Sequence, residues 1–153
     1  NYGKSLTSKR RRKGIFPVVG SNGIVGYHDE YFVEAPNIII GRKGSVGALT
    51  LIMENCFPLD TTYYVSYDDQ DVNIVFVYYL LRNINLPSLK EGIGVPGLNR
   101  EKVHKLLVPY LNKSEQNEIV EKIYSYERQI DKVKEEISKI DEAITSIMDN
   151  VIK

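Results

Sequence analysis

Two hydrophobic rhythms divide this chain of 153 residues. In the first part the apolar residues come in short runs: Phe16–Val19, Ile24–Tyr27, Tyr31–Val33, Ile38–Ile40, Ala48–Ile52 and Thr61–Tyr67. These runs are rich in Val, Ile, Tyr and Thr. Turn-forming clusters separate them at Gly20-Ser21-Asn22-Gly23, Pro36-Asn37 and Gly41–Gly47, which is the punctuation of β-structure. Asn22-Gly23 predicts a tight two-residue turn, because both residues tolerate positive φ. From Asp71 to Arg82 the spacing becomes helical, with Val72, Val75, Phe76, Tyr79 and Leu80 on one side. A second loop, Lys90–Gly97, leads to a short helix over Asn99–Leu106 with Asn99 as its N-cap. Leu106–Val108 then reads as one more strand, stopped by Pro109. Residues 1–111 are therefore expected to form one compact, β-rich α+β domain.

Residues 112–153 are different in kind. Apolar residues fall at Ile119, Ile123, Tyr126, Ile130, Val133, Ile137, Ile140, Ile144, Ile147 and Val151, at intervals that alternate between 4 and 3 without exception. Gly and Pro are both missing from Ser114 to Lys153. A sustained 3.5-residue repeat predicts a long helix that pairs as a coiled coil. With Ile123, Ile130, Ile137, Ile144 and Val151 at the a positions, Ile119, Tyr126, Val133, Ile140 and Ile147 fall at d. The stripe is narrow and about 48 Å long at 1.5 Å per residue, whereas a domain of this size is only about 30 Å across. Much of it therefore needs a second helix. A parallel, in-register dimer would set Glu136 at g beside Asp141 at e of its partner. That like-charge contact favours antiparallel pairing.

Charge sharpens this division. The chain carries 20 Lys+Arg and 20 Asp+Glu, a formal net charge of zero, which on average argues against a nucleic-acid partner. The distribution says otherwise. Lys4, Lys9, Arg10, Arg11, Arg12 and Lys13 stand together with no acid among residues 1–14. Residues 1–100 hold eleven bases and nine acids, and residues 101–153 hold nine bases and eleven acids. A basic cluster is the footprint of a phosphate-binding face. Composition alone equally allows a solvated, mobile loop.

Known enzyme chemistries find little support. The single cysteine, Cys56, and the two histidines exclude a disulfide framework and the usual structural zinc sites, and fit a reducing, cytoplasmic setting. No run of about 18 apolar residues is present to span a membrane, and Asn1–Lys13 lack the apolar stretch of a signal peptide. Gly92-Ile93-Gly94-Val95-Pro96-Gly97 fits the G-x-G-x-x-G string, but no apolar strand precedes it and Pro96 interrupts the turn. Gly41-Arg42-Lys43-Gly44-Ser45 lacks the spacer of a phosphate loop. No acid stands two residues before a lysine, as in many nucleases, and neither Asn-Pro-Pro, Asp-Pro-Pro nor G-x-S-x-G occurs. His28-Asp29 is a weak acid–base pair, since neighbours in a turn rarely converge on one atom. The expectation is a non-catalytic protein without metal or cofactor. What remains points to binding. Glycine-rich turns allow close backbone approach, and two of them present Ser21 and Asn22, and Arg42, Lys43 and Ser45, side chains suited to phosphates and base edges.

One family draws these strings together. The run Phe16-Pro17-Val18-Val19-Gly20-Ser21-Asn22-Gly23-Ile24-Val25-Gly26-Tyr27-His28-Asp29-Glu30-Tyr31 resembles the target recognition domains of type I restriction–modification specificity (S) subunits. So do Ile38–Gly47, Asp60-Thr61-Thr62-Tyr63-Tyr64-Val65, Val95-Pro96-Gly97-Leu98-Asn99-Arg100, the strand ending at Pro109 and Glu115-Gln116 opening the long helix. The resemblance covers nearly the whole chain, in order. It implies a non-catalytic subunit with two recognition domains, each followed by a long helix. The two helices pair antiparallel as a spacer between the halves of a split double-stranded DNA site. It further implies methyltransferase (M) subunits, which bind S-adenosylmethionine, and a restriction (R) subunit as partners. This chain has one recognition domain and one helix. It is thus expected to be half of an S subunit, either a fragment or a single-domain protein that dimerises on a palindromic split site. Lys4, Arg10, Arg11, Arg12, Lys13, Ser21, Asn22, Tyr27, His28, Arg42, Lys43 and Ser45 are the expected DNA contacts. Motifs common to members with different targets do not choose bases, so base choice is expected to involve residues outside them, the Lys4–Lys13 segment included. The alternative is a coiled-coil adaptor with no sequence-specific DNA binding of its own.

Overall fold

The computed structural model describes residues 1–152 and separates into two compact units, Asn1–Lys113 and Ser114–Lys153. Lys153, the last residue of the expected helix, lies outside the described residues.

The first unit is built on two three-stranded sheets whose central strands are buried on both faces. In one, β1 (Phe16–Gly20) lies between β2 (Gly23–His28) and β5 (Phe57–Pro58). β2 pairs antiparallel and β5 parallel. In the other, β3 (Asn37–Gly41) lies between β4 (Leu49–Ile52) and β6 (Thr62–Tyr64), antiparallel to both. The continuous apolar runs Val18-Val19 and Ile38-Ile39-Ile40 are what a strand covered on both sides requires, and all five residues are buried. Val19, Val33, Ile39, Ile52 and Cys56 form a shared core, with Phe32 and Tyr64 packed against it. Each such aliphatic side chain contributes about 1.5–3 kcal/mol on burial. β2, at an edge, leaves Ile24, Val25 and Tyr27 exposed.

Helix α1 (Ile74–Arg82) packs on β3 and β4. It begins later than the apolar spacing suggests, because the Asn73 side chain caps it, accepting from the N–H groups of Val75 (2.9 Å) and Phe76 (3.2 Å). A small hairpin, β7 (Lys90–Glu91) with β8 (Gly97–Leu98), precedes α2 (Arg100–His104). Asn99 caps α2, accepting from the Lys102 N–H at 3.1 Å.

Four local expectations are corrected. The Gly20–Gly23 turn places positive φ at Gly23 alone (103°), and Asn22 stays in the ordinary region. Tyr31–Val33 forms no strand. Only Val33 makes an isolated bridge, to Cys56. The strand expected over Thr61–Tyr67 stops at Tyr64, beyond which the Val65 N–H still reaches the Ile38 carbonyl at 3.3 Å but is shared with the Asn37 side chain. Its amide donates to the Val65 carbonyl (3.0 Å) and its oxygen accepts from the Val65 N–H (3.1 Å). Leu106–Val108 is not a strand either. The Leu106 N–H turns back to the Val103 carbonyl and Leu107 is fully exposed, so no neighbouring strand offers the segment a ladder.

The second unit is the single helix α3 (Lys113–Ile152), about 60 Å long at 1.5 Å per residue. Ile119 and Ile123 are partly exposed. From Tyr126 onward every a and d residue through Val151 is between 52% and 73% exposed. Among the described residues, no helix is long and apolar enough to cross a membrane.

Candidate nucleic-acid interface

Three glycine-rich segments, far apart in sequence, meet in the first unit. The Gly20–Gly23 turn packs directly against the Gly41–Gly47 loop. A Cβ built on Gly41 would stand 2.9 Å from the Ser21 carbonyl oxygen, and one on Gly44 would stand 3.1 Å from Ser21 Oγ. The same loop is stitched to the β7–β8 hairpin. Lys43 bridges Gly97, and the Leu98 N–H donates to the Arg42 carbonyl at 2.8 Å. Its other side is held by Thr61, whose carbonyl accepts from the N–H groups of Arg42 (2.9 Å) and Lys43 (3.1 Å). Ser21, Asn22, Arg42, Lys43 and Ser45 are thereby brought together.

The Arg42 side chain is also fixed. Nε and Nη2 donate to the Asp60 carbonyl at 3.1 and 2.6 Å, and the guanidinium lies 5.5 Å from the Tyr2 ring centre. Arg100 lies over the same ring at 5.3 Å. Tyr2 in turn meets Tyr63 edge-on at 5.0 Å, and the Tyr63 hydroxyl donates to the Leu98 carbonyl at 3.1 Å. Burial pushes the Tyr63 phenol above its usual range, which keeps that donor protonated. Two guanidiniums over one half-exposed tyrosine make a positive surface, with Arg100 also 3.7 Å from the Glu101 carboxylate. Sequence reading did not nominate Tyr2 or Arg100 for the site. Arg100 stood in a quoted motif, but nothing local announces that it and Tyr2 share a partner.

The basic segment is a second, differently built region. Ser8–Arg10 form one 3-10 turn, and the residues that follow are anchored on β2 and the turn after it. Arg11 Nη1 donates to the Val25 carbonyl at 2.7 Å, and the side chain crosses Gly26, where φ is 143° and an added Cβ would lie 2.9 Å from Nη1. Arg12 pairs with Asp29 (2.6 Å) and Glu30 (2.5 Å). The hydrogen bond from Arg12 holds the Asp29 carboxyl below its ordinary range. The Arg12 N–H donates to His28 Nδ1 at 3.0 Å. Lys4 lies over the Phe32 ring at 4.3 Å. Lys9, Arg10 and Lys13 are exposed and form no ion pair among the described residues. The segment is thus a ridge pinned to the domain at Lys4, Arg11 and Arg12. Three of its cations are engaged by the domain and three point outward.

Two further expected contacts fall on opposite sides of the β2 backbone. Tyr27 is half exposed. His28 is 2% exposed, stacks edge-on against Phe57 and receives the Arg12 N–H. Its side chain is therefore a buried support for the ridge and presents no surface to a ligand.

Cys56 is fully buried and its thiol is pushed up to about 11 by desolvation, the reverse of what a nucleophile needs. No group of three His, Cys, Asp or Glu side chains is placed to hold a metal among the described residues.

Comparison with known proteins agrees with this architecture. The family described as "Type I restriction modification DNA specificity domain" matches residues 1–142. A curated relative, the Type I restriction enzyme EcoprrI specificity subunit of Escherichia coli, is 26% identical over 111 residues, 71% of this chain and 28% of the relative. The crystal structure of a Type-I restriction-modification system S subunit from M. genitalium superposes with a TM-score of 0.71 at 19% identity, covering 86% of this chain and 37% of that one. The chain thus spans well under half the length of either protein. Its mixed sheets followed by one long helix share the fold of that S subunit, and the chain belongs to the type I restriction–modification DNA specificity domain family.

Proposed function

We propose that this chain recognises one half of a split duplex DNA site, with residues 1–111 as the target recognition domain and residues 112–153 as its spacer helix. The observation that carries this reading is the convergence of the Gly20–Gly23 turn, the Gly41–Gly47 loop and the β7–β8 hairpin around Arg42, Lys43 and Arg100. The cluster supplies exposed Lys43 and the partly exposed Arg42 and Arg100 on a hydrogen-bonded loop frame, the arrangement that positions a protein on phosphates while neighbouring side chains reach base edges. Lys9, Arg10 and Lys13 extend the positive surface along the ridge.

The exposed a/d stripe of α3 calls for a second helix, either from another recognition half or from a second copy of the chain. The Glu136–Asp141 repulsion favours antiparallel pairing. Two recognition domains at opposite ends of such a spacer would read a split site, palindromic if the two halves are identical. The chain performs no chemistry itself in this reading. Methyltransferase subunits carrying S-adenosylmethionine, and a restriction subunit, would act where it places them. This is the setting of a cytoplasmic restriction–modification complex.

The direct test is methylation mapping of a genome in cells expressing this chain with its methyltransferase partner, followed by binding of the purified chain to the mapped duplex over a salt series. A single split motif, and an affinity that falls steeply with salt, is the expected result. Association with partner helices but equal affinity for all duplexes would establish the adaptor instead.

A further inference from the structure

The β7–β8 hairpin carries a feature that phosphate contacts do not explain. Its tip, Gly92-Ile93-Gly94-Val95-Pro96, presents Ile93 at 106% and Val95 at 71% exposure. A soluble domain gains nothing from two branched aliphatic side chains held that far into water, and a core lies within a few residues: Leu98 is buried at the hairpin base. The backbone is shaped to project them. Gly92 and Gly94, on either side of Ile93, adopt φ of 111° and 86°, conformations costly to other residues. Nothing comes within 4 Å of a Cβ built on Gly94, so no packing partner fixes the tip from within the domain. The base, in contrast, is fixed. Gly97 bridges Lys43, Leu98 is bonded to Arg42, and Glu91 pairs with Lys102 and accepts from Asn99. An apolar point therefore projects from a fixed base, beside the cations Arg42, Lys43 and Arg100.

We propose that Ile93 and Val95 form a wedge that enters a DNA groove and partly unstacks one base step. This inference rests on the DNA-recognition reading above. Charge selects the occupant. Arg42, Lys43 and Arg100 stand at its base, where Glu91 is paired by Lys102, so a surface dense in phosphates is favoured, and the neighbouring cations hold that backbone while the apolar point enters between bases. Branched aliphatic side chains at the end of a projecting element are the chemistry that prises steps apart and kinks the duplex, by about 20–90°. The gain is a bent duplex that brings more of its backbone onto the ridge formed by Lys9, Arg10 and Lys13.

The test uses the full chain without the methyltransferase, so that no base flipping by that subunit intrudes. The probe is a duplex containing the mapped site with a fluorophore at each end. Wild type is expected to shorten the end-to-end distance, reported as energy transfer. Ile93→Ser with Val95→Ser should abolish the shortening and weaken binding about ten-fold, the equivalent of roughly 1.4 kcal/mol, with a shallower salt slope because an unbent duplex no longer reaches the cations of the ridge. Ile93→Phe should retain the kink, and the variants' unfolding midpoints should match wild type, since the tip packs on nothing. A duplex bent equally by wild type and the double serine variant would overturn the wedge while leaving DNA recognition standing. So would a double variant that bends DNA normally yet no longer binds the methyltransferase subunit, which would assign the tip to that partner. If wild type binds no duplex, the recognition reading itself fails and takes the wedge with it.

Discussion

Replacing Gly41 by alanine should dismantle the loop cluster from its centre. Gly41 is not required for positive φ. Its constraint is space, because the added methyl would lie 2.0 Å from the Ser45 carbonyl oxygen and 2.9 Å from that of Ser21. Carbon and oxygen ordinarily stay about 3.3 Å apart, so the Ser45 carbonyl must retreat by more than about 1 Å. Two closing hydrogen bonds of the loop lie in its path: Gly47 N–H to the Gly41 carbonyl (2.8 Å) and Ala48 N–H to the Ser45 carbonyl (3.2 Å). Overpacking of this kind costs about 1–3 kcal/mol, and each strained hydrogen bond adds about 0.5–1.5 kcal/mol. The expected loss is about 3 kcal/mol, read as a fall in the urea midpoint at unchanged slope. Where the variant remains folded, the displaced Arg42 and Lys43 should reduce the slope of log affinity against log salt by up to about 2. Gly94→Ala is the control. Its φ is 86° but its surroundings are empty, so it should cost only the conformational term, about 1 kcal/mol. A Gly41→Ala protein that unfolds within about 0.5 kcal/mol of wild type and keeps its salt slope would refute the steric account of this joint.

Three other outcomes follow from separate parts of the molecule. Changing Ile130 and Ile137 together to Asp should abolish helix pairing in sedimentation, whereas a wild-type chain that stays monomeric at high micromolar concentration would contradict self-association. Asn99→Ala removes the cap on Lys102 N–H and should lower thermal stability by about 1 kcal/mol, with no effect if α2 is held by packing alone. Cys56, whose thiol stands at about 11 against an ordinary 9.0, should resist a thiol reagent at pH 8 until the protein unfolds. Because its folded value is raised, the contribution to stability is intact below pH 9 and is lost as pH rises towards 11. Rapid labelling of native protein at pH 8 would show that the site opens locally.

What the sequence announced and what it concealed separate by the range of the interaction. The alternating spacing from Ile119 to Val151 is a local signal and marks one long helix without ambiguity. So are the caps, and Asn99 was legible because a cap acts within three residues. Strand runs were legible where strands are buried on both faces, as at Ile38–Ile40. Their ends were not, because where β6 ends the chain is held by the side chain of Asn37, a residue 28 positions from Val65. The site divides the same way. The glycine-rich turns could be nominated singly, but their meeting depends on contacts such as Lys43 with Gly97, and Arg42 and Arg100 with Tyr2. The basic segment looked like six equivalent charges. Whether a given arginine is already committed depends on which carbonyl or carboxylate lies opposite, and Val25, Asp29 and Glu30 engage two of them.

The ladder contacts of the first residues bear on how the domain is made. Gly3 N–H bonds the Thr62 carbonyl, Lys4 N–H bonds that of Pro58, and Tyr2 bridges Tyr63. These pairings close a loop of nearly sixty residues, and β1–β5 and Lys43–Gly97 close others of similar reach. Chains dominated by such distant pairings fold slowly, in milliseconds to seconds, because loop entropy is lost before contacts reward it. During synthesis Tyr2 and Lys4 must wait until Leu59 and Tyr63 leave the ribosome, and Lys43 must wait for Gly97. The cation cluster therefore comes into being only when the whole β-domain closes, and a nascent or partly opened chain has no half-formed version of it with which to hold DNA.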